Sequence, residues 1–326
     1  MRTMLEVSFR TLMRPLALAN LVANVALVVT GAAVRLTGSG LGCPTWPKCT
    51  DQSYSTTGAM GVHGAIEFGN RLLGVALGVI ALACFVVALL QKLRRRSLVV
   101  LSLVVGLGIP GQGVVGGLSV LTDLNPWVVG LHFLLSMALI AGAYALWRRT
   151  AEGDSPAQPV VPAPLRALAR LTAVAALAVI VAGTIVTGSG PHAGDANAKR
   201  NGLDPQSVSQ AHADLVFLLI GLSVALWFAL RALKAPRPTI RAAAVLVIVE
   251  LAQGLIGFVQ YFTHLPVILV GFHMLGASLV WTATLAVLWS LRTRPGTQSE
   301  APDLPAASQL EVDPEASAGN PVVVVR

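Results

Sequence analysis

Long apolar runs alternate with short polar or basic segments along most of the chain. A membrane-spanning helix needs about 20 mostly apolar residues. Such runs fall at 15–34, 66–90, 98–120, 127–147, 167–187, 209–231, 240–262 and 267–290. The pattern predicts an all-α integral membrane protein with eight transmembrane helices. From Thr293 onward the chain is rich in Pro, Ala, Ser and acids. A segment of that composition buries too little apolar surface to offset its ordering entropy, so disorder is expected there.

Composition agrees with the pattern. Hydrophobic residues make up 55% of the 326 and charged residues 12%, with a mean hydropathy of +0.72. A soluble domain is about a quarter charged, so this chain lacks the polar surface to coat a water-soluble globule. The formal charge of +8 does not point to nucleic acid, because the basic residues sit in short clusters between apolar runs. Arg10 and Arg14 precede an apolar stretch too long for a cleavable signal, and no small-residue cleavage pattern follows soon after it. Orientation follows from the bias of Lys and Arg toward the cytoplasm. With the N-terminus inside, one side carries eighteen basic residues. The other carries five, Arg35, Lys48, Arg71, Lys199 and Arg200. The protein is therefore expected to be a multi-pass protein of the cell membrane with both termini cytoplasmic.

The two halves resemble each other. Span 1 leads into Thr37-Gly38-Ser39-Gly40 and span 5 into Thr187-Gly188-Ser189-Gly190. Gln112-Gly113-Val114-Val115-Gly116 in span 3 matches Gln253-Gly254-Leu255-Ile256-Gly257 in span 7, and each Gln is followed 20 residues later by a histidine, His132 or His273. Four spans per copy is an even number, so the copies run in parallel, related by a pseudo-two-fold axis along the membrane normal. The expected architecture is two four-helix bundles side by side, each able to host a cofactor in its core. The expected layout is a cytoplasmic N-terminus at 1–14, a first bundle at 15–147, a cytoplasmic linker at 148–166, a second bundle at 167–290 and a cytoplasmic tail at 291–326.

Ionisable residues within a membrane are costly and mark function. His212 and His273 lie a few residues inside the outer ends of spans 6 and 8. Two imidazoles at one depth in one bundle can ligate a heme iron from opposite sides. The alternative is ordinary hydrogen bonding between helices; repetition at matched depth, beside glycines that leave room for a flat ligand, favours heme. His132 is the first-half counterpart of His273, whereas the counterpart of His212 is Asn70. Glu67 lies three residues before Asn70, so the two share a helix face, and Glu67 is expected to point toward the pocket of Asn70 and His132. The competing role for Glu67 is an interfacial ion pair with Arg71. Its second-half counterpart is Ser209. Glu250 and Asp214 carry no firm assignment, and His63, His192 and His264 read as solvated or lining residues. Cys43 and Cys49 share one outer loop, where disulfides persist. With no further Cys or His beside them, a disulfide is favoured over a metal half-site. Cys84, inside an apolar run, reads as a packing residue.

The run from Val34 to Cys49, VRLTGSGLGCPTWPKC, resembles the first outer loop of heme A synthases. So do Ile66-Glu67-Phe68-Gly69-Asn70-Arg71 and the run from Thr187 to Asp195, TGSGPHAGD. The resemblance covers residues 15–290 and omits the tail. It implies oxidation of a porphyrin methyl group of heme O to a formyl group, giving heme A for terminal oxidases. It also implies a resident heme b on His212 and His273, a substrate heme on His132 in the first half, a functional acid at Glu67, and a Cys43–Cys49 disulfide. Heme O synthase and terminal-oxidase assembly factors are the partners it suggests, beside membrane lipid. One departure stands out. The family has a histidine where this chain has Asn70, and an amide is a poor iron ligand. Three readings follow: a substrate iron held by His132 alone, substitution by His63, or a degenerate first half. Two rival functions also fit the pattern, a multi-heme electron-transfer cytochrome and a heme transporter. The cytochrome leaves Glu67 without a role, and no broken-helix site supports the transporter.

Overall fold

The computed structural model describes residues 2–91 and 94–294, with backbone alone for 2–10. Eight long helices are present among these residues: α1 (Arg2–Leu36), α2 (Gly61–Leu90), α3 (Arg96–Leu121), α4 (Pro126–Thr150), α5 (Ala163–Ser189), α6 (Pro205–Ala232), α7 (Arg237–Phe262) and α8 (Val267–Ser290). All eight are long and apolar enough to cross a membrane. The expected spans lie inside them, and most of the helices extend beyond those spans, most of all at the start of α1, which begins at Arg2 against an expected 15. The tail expected to be disordered lies outside the described residues from position 295 onward.

Turn chemistry sets the helix starts. Pro126 and Pro205 occupy first-turn positions, where a missing N–H costs nothing. Asn125 caps α4 by accepting from Trp127 N at 3.0 Å, and Asp204 caps α6 by accepting from Ser207 N at 2.8 Å. The turn before α4 places Asp123 and Leu124 in the left-handed region (φ 51° and 57°), and the turn before α8 does the same with His264 and Leu265 (φ 63° and 60°). Left-handed backbone is unusual for non-glycine residues. Its recurrence at equivalent positions shows that the sequence repeat extends to backbone conformation.

Within each half the helices pack in a ring. Helix α1 touches α2 and α4, and α3 touches α2 and α4; in the same way α5 touches α6 and α8, and α7 touches α6 and α8. The halves meet through α1 against α8, α4 against α5, and α4 against α8. Exchanging the halves reproduces this set of contacts. The seam is filled by Leu21, Val28, Met137, Ile140, Tyr144 and Ile180, and Trp281 Nε1 donates across it to Met137 O at 2.9 Å. Leu72, Val75, Val79, Ile248, Leu255 and Phe217 face outward, as lipid-contacting residues do.

The connection between halves runs between the end of α4 at Thr150 and the start of α5 at Ala163. It is tied down. Arg149, 7% exposed, donates to Glu152 Oε2, Gly153 O, Ser97 Oγ and Asp154 Oδ1 at 2.9–3.1 Å. Arg95 adds a two-pronged contact to Asp154 at 3.1 Å. Gln158–Pro159 pairs antiparallel with Arg292–Thr293, and Trp289 Nε1 donates to Glu152. The linker thus binds the ends of α3, α4 and α8 together.

Candidate functional site

At the opposite end of the bundle lies the loop between α1 and α2. Cys43 and Cys49 form a disulfide there, and Cys84 is buried and unpaired, both as expected. Glu67, 5% exposed, reaches up from α2 into this loop. Its Oε2 accepts from Cys43 N at 2.5 Å and its Oε1 from Arg71 at 2.6 Å. Arg71 also donates to Cys43 O, Thr45 O and Lys48 O at 3.0–3.1 Å. The acid and its partner one turn later therefore anchor the disulfide loop with charge-assisted bonds, stronger than neutral ones. The pairing with Arg71 weighed from the sequence is present. Arg35 ties the halves together at this end, donating to His192 O at 2.5 Å and Thr187 O at 2.6 Å.

The histidines lie below this surface. His132, His212 and His273 are six or seven residues into α4, α6 and α8, so they sit about 9–11 Å in from the helix starts. Each rests its Cε1 edge against a glycine of the preceding helix. A side-chain carbon placed on Gly116 would lie 3.1 Å from His132 Cε1, one on Gly183 3.3 Å from His212 Cε1, and one on Gly257 3.3 Å from His273 Cε1. Gln112 Nε2 donates to His132 O at 2.9 Å, and Gln253 Nε2 to His273 O at 2.8 Å. The motif repeat is thus a structural device: the glutamine fixes the backbone of the histidine, and the glycine four residues later receives its ring. Sequence reading recorded both residues without this pairing.

In the second half His212 and His273 face each other, with ring centres 6.5 Å apart and planes crossing at 69°. A metal–imidazole bond is about 2.0 Å and the ring centre lies about 1.1 Å beyond the nitrogen, so two imidazoles on opposite sides of one metal have centres about 6.2 Å apart. The observed spacing is close to that value. Crossed planes are compatible, because each ring turns about its own metal–nitrogen axis. Nδ1 of His212 and of His273 lies on the side of the neighbouring helix, 3.7 Å from the carbon that an alanine at Gly183 or Gly257 would add, and the Val179 backbone is within reach of the His212 ring. Nε2 of each ring is the nitrogen left for a metal. No group of three His, Cys, Asp or Glu side chains suited to a bare metal ion occurs among the described residues. Two protein ligands with the remaining positions supplied by a macrocycle fit this donor set better.

The other singled-out residues have structural partners. Asn70 Oδ1 accepts from Thr30 Oγ1 on α1 at 2.8 Å, a contact with no sequence signature. His63 is 3.0 Å from Ser39 Oγ, and His192 Nε2 is 2.9 Å from Leu265 O. His264 is exposed. Asp214 accepts from Gln210 at 2.8 Å on the surface of α6. Glu250, 3% exposed, accepts from Ser223 Oγ at 2.9 Å, and its other oxygen has no partner among the described residues.

These features define a polytopic helical membrane protein whose halves each carry a half-buried histidine seat, doubled in the second half. The chain belongs to the cytochrome oxidase assembly protein family, whose model matches residues 14–285. It is similar to a heme A synthase of Methylobacterium sp. (strain 4-46), 32% identical over 205 residues, which covers 51% of this chain and 54% of that protein. It is also similar to a heme A synthase of Halalkalibacterium halodurans, 28% identical over 138 residues, covering 42% and 46%. A protoheme IX farnesyltransferase of Haloarcula marismortui is 30% identical over 132 residues, covering 40% and 27%. The chain spans about half the length of the heme A synthases it matches.

Proposed function

We propose that this protein is a heme A synthase of the cell membrane, oxidising a porphyrin methyl group of heme O to a formyl group. The observation that carries the reading is the His212–His273 pair, whose 6.5 Å spacing suits one axially ligated iron. The names of the relatives support it. In this reading the half at 167–290 holds a resident heme b on His212 and His273. The half at 15–147 receives heme O, with His132 as its ligand and Asn70 in the same pocket. The disulfide end of the bundle faces outward. Heme O synthase and terminal-oxidase assembly factors are the expected suppliers and acceptors.

The porphyrins supply the redox chemistry; the protein supplies position and charge. Gly116, Gly183 and Gly257 let each imidazole lie against a helix backbone and fix its direction. Gln112 and Gln253 hold the backbone of α4 and α8 at the ligands. Glu67 is the proton acceptor for the methyl oxidation. Each of its oxygens already takes one hydrogen bond, and each keeps a further lone pair. Its anchoring to Cys43 and Arg71 keeps that acceptor at the mouth of the first half.

The test is co-expression with a source of heme O, followed by chromatography of extracted pigment. New heme A supports the synthase. Unchanged heme O with an intact b-type spectrum overturns it in favour of an electron carrier.

A further inference from the structure

The two halves differ most sharply on α2 and α6, where Asn70 stands in the place of His212. Three observations bear on what Asn70 does. The framework around His132 is built like that around His273. Each histidine has a glutamine on its carbonyl and a glycine against its ring. The ligand side of the first half is therefore complete. Next, Thr30 Oγ1 donates to Asn70 Oδ1 at 2.8 Å. That bond turns the amide's acceptor end toward α1 and leaves its Nδ2 group, with two N–H donors and no acceptor capacity, to face elsewhere. Finally, aligned on Thr37-Gly38-Ser39-Gly40 and Thr187-Gly188-Ser189-Gly190, the counterpart of Gly183 is Ala33. A side-chain carbon on Gly183 would meet the His212 ring at 3.3 Å, and Ala33 already carries such a carbon. The glycine seat of a second imidazole is absent from the first half.

We propose that the first half holds its porphyrin iron by His132 alone, and that Asn70, pinned by Thr30, presents an N–H donor over the open sixth position. The inference rests on the heme A synthase reading and deepens it. The resident site, saturated by two histidines, is suited to passing electrons. The substrate site keeps a coordination position for a small ligand, with a hydrogen-bond donor oriented toward it.

The test uses full-length protein purified with heme O, with carbon monoxide added to the reduced form and fluoride to the ferric form as probes. The resident b-type spectrum reports folding of every variant. The wild type should show one high-spin heme that binds carbon monoxide and is lost in His132→Ala. Asn70→His combined with Ala33→Gly, which restores the glycine seat, should convert that heme to a low-spin form that no longer binds carbon monoxide. Asn70→Val should stay high-spin but bind fluoride about 5-fold to 10-fold more weakly, the net worth of one hydrogen bond. Thr30→Val should shift fluoride affinity in the same direction by less. A wild-type first-half heme that is low-spin and indifferent to carbon monoxide overturns the open site. Unchanged fluoride affinity in Asn70→Val overturns the donor. If no second heme binds while the resident spectrum is intact, the synthase reading itself falls, and the inference with it.

Discussion

Replacing Gly257 by alanine perturbs the resident site by a distance that can be worked out beforehand. The added carbon would lie 3.3 Å from His273 Cε1 and 3.7 Å from its Nδ1. Carbon atoms in good contact are about 3.5–4.0 Å apart, so the ring must retreat by about 0.2–0.7 Å. Metal–ligand distances tolerate departures of only about 0.2 Å. The axial bond on that side is therefore strained or lengthened. Residues that orient a metal ligand change metal affinity by about 10-fold to 100-fold when altered, and heme retention should weaken on that scale. Gly183→Ala should act likewise on His212, where the distance is also 3.3 Å. Gly257→Val, which projects further, should remove the low-spin signal altogether. The internal control is Gly254→Ala, three residues earlier on the same helix, where an added carbon meets nothing within 4 Å. It should leave the heme unchanged, and the helix gains up to about 1 kcal/mol in propensity. The assay is absorption and electron paramagnetic resonance of the ferric protein, with heme quantified per chain. Full low-spin occupancy in Gly257→Val, or equal loss in Gly254→Ala and Gly257→Ala, would refute the role of the glycine as the ring's seat.

His212→Ala and His273→Ala should each abolish the low-spin b-type spectrum, and a wild-type spectrum in both would remove the pair as ligands. Glu67→Gln and His132→Ala should keep that spectrum yet strongly reduce heme A in extracted pigment; loss of heme b in His132→Ala would mean that the two pockets are assigned in reverse. Arg149→Ala should cost about 1.5–3 kcal/mol of stability, because it removes charge-assisted bonds to Glu152 and Asp154, which keep their other partners. Thermal melts read this, and a shift of under a degree would show that the linker cluster is not stabilising. Asp154, held below the usual carboxylate range first by the hydrogen bond from Arg95 and then by Ser97 and the charges of Arg95 and Arg149, gives a pH signature. A depressed carboxyl stabilises the fold above its ordinary value and loses that contribution as pH falls through the native value. The melting difference between wild type and Asp154→Asn should thus hold from pH 7 to 5, begin to shrink near about pH 4 and be lost only as pH falls below the native value. A difference that persists undiminished at pH 3 would contradict it.

The sequence by itself determined the eight spans, the internal repeat, the repeated-motif histidines His132 and His273 with His212 and Asn70 in the other two places, and the cysteine pair. These are local properties. Span length follows from the apolar run and the thickness of a bilayer, and the repeat is visible because the same backbone problem is solved twice, down to the left-handed residues at 123–124 and 264–265. Only the tertiary structure decided which side chains meet. It paired Thr30 with Asn70, set Gly116, Gly183 and Gly257 against the imidazoles, turned Glu67 into the anchor of the disulfide loop, and gathered Arg149, Asp154 and Trp289 around the linker. The reason is physical. A soluble helix advertises its buried face by an apolar stripe, but a helix in lipid is apolar on both faces, since lipid tails are as apolar as leucine. Its rotation is set by small residues and a few hydrogen bonds whose partners lie tens to more than a hundred positions away. Those partners are fixed only when the two rings of four helices close.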